Sequence, residues 1–326
     1  MTTKDILNQL VSDNIIAPEQ SSAISEYESG KAFSVHWELR SILYLGIVIF
    51  GSGLGVIIYQ NIDTIGHQVI IALIALLMTA CFAYTIKKRV PFSWALVESP
   101  EKFSPHSLLL GCTLLLILEG YLQYQYTIFG TRYGLAVLIP TIVFFFCAYR
   151  FDHRGILSMA ITGLASWLGL TIAPLSVLSD NDFTDIKLLA TAISLGLVLM
   201  AISRLSQDKG LKSHFAFTYL LLGGNLAALA SLTAMFSTEP KILFMISAAA
   251  VSFYYIRYSR QAQSLLFLLL GVIYGYIVVT YGLFIITPDE ALAALAIYYF
   301  LFSSIGVIFF LLNVKKILGT TNEKSI

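Results

Sequence analysis

The sequence predicts an all-α integral membrane protein, about ten transmembrane helices preceded by a short cytosolic helical hairpin. Of its 326 residues, 57% are hydrophobic and only 12% charged, too little charge to keep the surface of a soluble domain wet. The apolar residues fall in blocks of about 20, the length that crosses roughly 30 Å of hydrocarbon as a helix. Lipid gives the backbone no hydrogen-bond partners, so each block must satisfy its own peptide groups, as a helix does. The period-two alternation of a transmembrane barrel does not appear.

Residues 1–40 come first and are polar. Ile6, Leu7, Leu10 and Val11 share one helical face. Asn14 marks a turn, and Pro18 suits the first position of a second helix whose apolar face continues through Ile24 and Tyr27. Such a pair is too small to hold a core alone. It is expected to dock on the bundle, on a second copy, or on a protein partner. Six acids against three bases in this segment argue against adhesion to phospholipid. No apolar stretch before a small-residue cleavage site is seen, so the first span reads as an uncleaved anchor.

Spans are predicted at 41–59, 68–86, 107–126, 131–149, 155–177, 186–203, 214–236, 242–257, 263–286 and 291–313. The eighth is short, and the end of the fifth is blurred by Pro174. The chain thus divides into a cytosolic two-helix segment (1–40), a ten-span bundle (41–313) and a cytosolic tail (314–326). With ten spans, 17 of the 20 Lys and Arg lie on one side, and only Arg132, Lys187 and Lys241 on the other. Positive loops resist translocation, which puts both ends in the cytoplasm. A missed or invented span in mid-chain would destroy this bias. The opposite loops carry Asp63, Asp180, Asp182, Asp185, Glu239, Asp289 and Glu290, a mildly acidic outer surface of solvated carboxylates.

The string "ILNQLVSDNIIAPEQSSAISEY" (6–27), followed by the Gly-rich "GIVIFGSGLGVIIYQNID" (46–63), resembles a family of bacterial predicted membrane proteins, domain of unknown function 2157. "EGYLQYQYTIFG" and "AYRFDHRG" are similar to Bacteroidota-type relatives. Family openings often carry Trp after the Asn near the end of span 1, where this chain has Ile62 after Asn61. The resemblance implies a helical bundle in a bacterial cytoplasmic (inner) membrane. It implies no catalytic residue.

Ionisable groups deep in hydrocarbon are costly unless paired or wet, and so point to function. Glu119 is the one carboxylate well inside a span. With Tyr121, Tyr124 and Arg132 it frames a candidate polar outer vestibule in which Glu119 would be a cation or proton site. Glu119 and Arg132 are about equally far from the hairpin turn and are expected to form an ion pair within an aromatic belt. At mid-membrane, Gly224 and Asn225 (after Gly223) and Pro140 form a second candidate. They are read either as a helix loosened for a ligand or as close helix packing with Asn bonding across it. Gly51 with Gly55 and Gly271 with Gly275 are expected to mark tight helix contacts.

Cys81, Cys112 and Cys147 lie in apolar blocks with no CxxC spacing, supporting neither a disulfide framework nor a zinc site. "SDNDFTD" clusters Asp180, Asp182 and Asp185 but lacks the Gly and final Glu of an EF-hand. The five histidines sit at edges or loops, with no pair at i, i+4. His153, beside Asp152 and Arg154, reads as a charged, solvated turn. Lys87, Lys88 and Arg89 followed by Phe92, Trp94, Leu96 and Val97 suit a segment lying among anionic headgroups. No cofactor or metal is implied, and near-neutral charge argues against nucleic acid. No P-loop, GxSxG or HExxH occurs, so an enzyme is not expected. Two readings stay open. One is a non-catalytic membrane component: a scaffold, assembly partner or sensor using its N-terminal helix pair. The other is a secondary transporter of a small solute built from two five-helix halves.

Overall fold

The computed structural model describes residues 10–13, 17–30, 36–97, 101–130, 132–172 and 183–318. Ile6, Leu7, Asn14, Pro174, Asp180 and Asp182, and all but the start of the C-terminal tail, lie outside the described residues. The helices are α1 (Pro18–Gly30), α2 (His36–Ile65), α3 (His67–Lys87), α4 (Ser104–Tyr126), α5 (Tyr133–Phe151) and α6 (Arg154–Ile172). They continue as α7 (Ile186–Lys209), a 3₁₀ turn (Ser213–Phe215), α8 (Ala216–Ser237), α9 (Lys241–Ala262), α10 (Leu265–Ile286) and α11 (Asp289–Ile317). Among the described residues nine helices are long and apolar enough to cross a membrane, and the apolar stretch Ser41–Ile57 of α2 adds a shorter one. The predicted count of about ten is consistent with this. The eighth span, expected to be short, is the full 22-residue α9.

Two compact units are distinguished, Met1–Val56 and Ile57–Ile326. In the first, Pro18 opens α1 as its missing N–H allows, and Gln20 Oε1 accepts from the Ala17 amide just before it. α2 follows with an apolar surface, Val48, Ile49 and Phe50 all exposed. A Cβ at Gly55 would have no neighbour within 4 Å.

The second unit is built from neighbouring antiparallel helices: α3 with α4, α5 with α6, α7 with α8, and α9 with both α8 and α10. Its turns follow from local chemistry. Asp185 caps α7, its Oδ1 accepting from the amides of Lys187 and Leu188 at 2.7 and 3.2 Å. Gly210 closes the same helix in the left-handed conformation.

Helix α8 is the centre of the unit, with 67% of its apolar window buried against 0% for α11. Small residues make this possible. A Cβ on Gly196 would stand 2.5 Å from the Gly223 carbonyl oxygen, and one on Gly223 2.5 Å from Leu199 Cβ. Without these side chains the α7 and α8 backbones touch. Gly271 and Gly275 face Ser252 and Ile256 of α9, the tight contact expected of them. Ser252 Oγ donates to the Gly271 carbonyl at 2.7 Å. Tyr255 and Phe267 anchor one core with α7–α10. Leu108, Phe144, Ile156 and Phe215 anchor another with α4–α8.

Candidate functional site

The sequence candidates fall in three places. The outer vestibule does not assemble. An α-helix turns about 100° per residue, so Tyr121 and Tyr124 lie about 200° and 140° round α4 from Glu119. Tyr121 is hydrogen-bonded to His67 Nδ1 on α3, and Gln125 Nε2 reaches His67 Nε2 at 3.3 Å. Tyr124 is 80% exposed. The expected Glu119–Arg132 ion pair is not formed. Arg132 is exposed at the start of α5, whereas Glu119 is 8% exposed and neither carboxyl oxygen has a hydrogen-bond partner among the described residues. The turn between the two helices is closed instead by Gln123, whose Nε2 donates to the Gly130 carbonyl and whose Oε1 accepts from the Phe129 amide, each at 2.9 Å.

At mid-membrane the packing reading fits. Helix α8 runs unbroken through Gly223, Gly224 and Asn225. Asn225 Nδ2 donates to the Leu221 carbonyl at 2.7 Å, and its Oδ1 accepts from the Tyr274 hydroxyl of α10. Tyr255 of α9 lies against Gly224 and donates to the carbonyls of Leu220 and Leu221 at 3.1 and 3.2 Å. Three helices thus share one satisfied polar network. Pro140 is not part of it, being buried in α5.

The third place was misjudged from sequence. Asp152 ends α5 in the left-handed conformation, which turns its side chain inward. Its carboxylate receives Lys212 Nζ at 2.6 and 2.7 Å and the Val97 amide at 3.2 Å. His214 Nε2 stands 2.9 Å away. The side chains of Lys212, Asp152 and His214 are 1%, 3% and 7% exposed. His153 is buried too, its Nδ1 accepting from the Ile156 amide at 3.1 Å and so capping α6. The solvated turn expected at "YRFDHRG" is therefore a buried ionic knot. A single turn of sequence cannot reveal it, because Lys212 arrives from 60 residues away.

The knot also gathers the segment after α3. Lys212 Nζ sits 4.8 Å from the centre of the Phe92 ring. The Lys212 amide donates to the Trp94 carbonyl at 2.8 Å, and Arg150 Nη1 to the Val90 carbonyl at 2.9 Å. Residues 90–97 are thus pinned to the bundle, while Phe92, Trp94 and Leu96 stay about half exposed. Beside them opens a small cleft lined by Lys88, Arg89, Arg150 and Asp152. At its edge Lys88 Nζ meets Glu101 at 2.6 Å. Hydrogen bonding and charge from Lys88 hold the Glu101 carboxyl below its usual range, and the same contact raises Lys88.

No group of three His, Cys, Asp or Glu side chains able to hold a metal is found among the described residues. Asp185 of the acidic loop is spent on its cap.

Residues 8–157 match the model of DUF2157, a family of predicted membrane proteins. The resemblance read from the N-terminal strings is borne out over that range. The match includes Glu119, Pro140 and Asp152 but stops before Asn225, Lys212 and His214. No curated protein and no solved structure matches the chain. The protein is a membrane protein with many apolar helices.

Proposed function

We propose that this chain is a non-catalytic component of a bacterial cytoplasmic membrane. In this reading both termini and the Asp152 end of the bundle face the cytosol, and residues 1–40 engage a protein partner or a second copy. It serves as scaffold, assembly partner or sensor. The observation that carries this is the closed network at mid-membrane. A solute path needs polar groups to offer, and the Asn225 amide is already committed to Leu221 and Tyr274 on an unbroken helix. The glycines beside it bring α7, α8 and α9 together.

The test is chemical access. In a background with Cys81, Cys112 and Cys147 replaced by Ala, Asn225→Cys and Gly224→Cys are treated in vesicles with a membrane-impermeant thiol reagent. A scaffold leaves both unlabelled from either side. Labelling from both sides would establish alternating access and overturn the reading.

One observation favours the second reading, a secondary transporter of a small solute with two five-helix halves. Glu119 is a carboxyl buried inside a span, a feature common along ion pathways.

A further inference from the structure

Glu119 and Pro140 enter the sequence as separate candidates, and the helix register brings them together. Helices α4 and α5 are antiparallel neighbours joined by the turn that Gln123 closes. Lower down, Cys112 of α4 and Cys147 of α5 are buried in the same core. Seven residues are nearly two helical turns, a rise of about 10.5 Å and a rotation of only ~20°. Seven steps up α4 from Cys112 lead to Glu119, on the same face. Seven steps back along α5 from Cys147 lead to Pro140, likewise on the same face. By this register the two residues fall at about one level of α4 and α5, and both are buried.

Proline has no N–H, so the carbonyl four residues earlier, that of Ala136, loses its helical donor. It needs another one in a medium without water. The Glu119 oxygens, by contrast, have no hydrogen-bond partner among the described residues. Two acceptors cannot bond to each other, but a carboxylic acid has one O–H to give. A carboxylate there would be a buried charge with neither cation nor donor, the costliest arrangement available.

Other charged groups do not relieve it. On α3 the nearest titratable side chain is His67, bonded to Tyr121 about 200° round α4. The others there, Cys81, Tyr84 and Lys87, lie toward the opposite end of the helix. On α5, Arg132 and Tyr133 are exposed at the start of the helix, while Cys147, Tyr149 and Arg150 lie toward its end. On α6, Arg154 opens the helix, and no Asp, Glu, Lys, Arg or His follows up to Ile172.

We propose that Glu119 is a proton-binding site: it is held as a carboxylic acid whose O–H is placed to donate to the Ala136 carbonyl that Pro140 leaves without a partner. The site takes a proton and no larger cation, and it stands on neither functional reading above.

Infrared spectroscopy of the full-length protein in lipid decides. At neutral pH the wild type should show a carboxylic-acid C=O band that shifts in D₂O and disappears in Glu119→Gln. Pro140→Ala, which restores a donor to Ala136, should move that band toward the position of a more weakly bonded acid. Glu119→Gln, neutral and of the same shape, should unfold at the wild-type midpoint. A membrane-soluble carbodiimide gives an independent readout. The acid adds across one C=N bond, its proton passing to nitrogen and its oxygen to carbon, and an acyl shift to nitrogen leaves a stable adduct with no leaving group. One adduct on the Glu119 peptide is expected at neutral pH. The proposal is overturned if Glu119→Gln removes no carboxylic-acid band, or if it removes a carboxylate band that responds to Na⁺ or K⁺.

Discussion

Replacing Asp152 with Ala removes both oxygens that hold the Lys212 ammonium at 2.6 and 2.7 Å. Lys212 is 1% exposed, so water cannot take over, and the face of Phe92 at 4.8 Å is the polar contact that stays. Stranding one member of a buried pair costs about 3–5 kcal/mol, and the Val97 amide loses its acceptor as well. Reversible unfolding in mixed micelles measures this directly. The Asp152→Ala protein should lose roughly that much, whereas an exposed pair would give about 0–1 kcal/mol. Adding Lys212→Met should recover part of the loss, because an apolar side chain no longer needs the carboxylate. Hydrogen exchange supplies the second readout, with the amides of Val97 and Lys212 losing protection together. A loss below about 1 kcal/mol, or a double variant worse than the sum of the single ones, would refute the reasoning.

Two further outcomes follow from the packing and the charges. Gly223→Ala should destabilise by about 1–3 kcal/mol, since its Cβ would stand 2.5 Å from Leu199 Cβ and 2.9 Å from the Gly196 carbonyl oxygen. Gly120→Ala, with nothing within 4 Å, should be neutral or stabilising by up to about 1 kcal/mol in the same assay. Glu101 sets a pH dependence. Lys88 depresses its carboxyl in the folded protein, so its contribution is full above the unfolded value near 4.3 and is lost as pH falls through the folded value. The stability difference between wild type and Glu101→Gln, small because the pair is exposed, should be present at pH 6 and diminish as pH falls through the folded carboxyl's range, as followed by unfolding midpoints.

Most of the fold was legible because lipid makes one demand of each segment, and a run of apolar residues meets it alone. Pro18, the glycines of α10 and the length of each block all act locally, and local signals can be read one window at a time. The errors lie where partners come from elsewhere in the chain. Glu119 and Arg132 were paired by their distance from a turn, but 100° of rotation per residue separates faces that residue counting treats as one. Asp152 was read as solvated because its neighbours His153 and Arg154 are polar, whereas its counter-ion belongs to another hairpin. At Asn225 two adjacent glycines announce a close approach, but Tyr274 as its partner and Tyr255 against Gly224 carried no sequence signal.

The Asp152 knot also sets an order of events during synthesis. Its acid is made with α5, yet its base is made after α7, about 60 residues later. Until then the nascent chain holds a carboxylate at the rim without its cation, and residues 90–97 have only the Val97 amide on Asp152 and the Arg150 contact to Val90 to hold them. The first hairpins can enter the bilayer, but their loop is only partly fastened. When Lys212 emerges, one side chain neutralises Asp152, receives Phe92 and brings its own amide to Trp94. A chain halted before Lys212 would therefore carry its early helices with a loose, protease-sensitive collar, and a chain extended past it would close that collar in a single step.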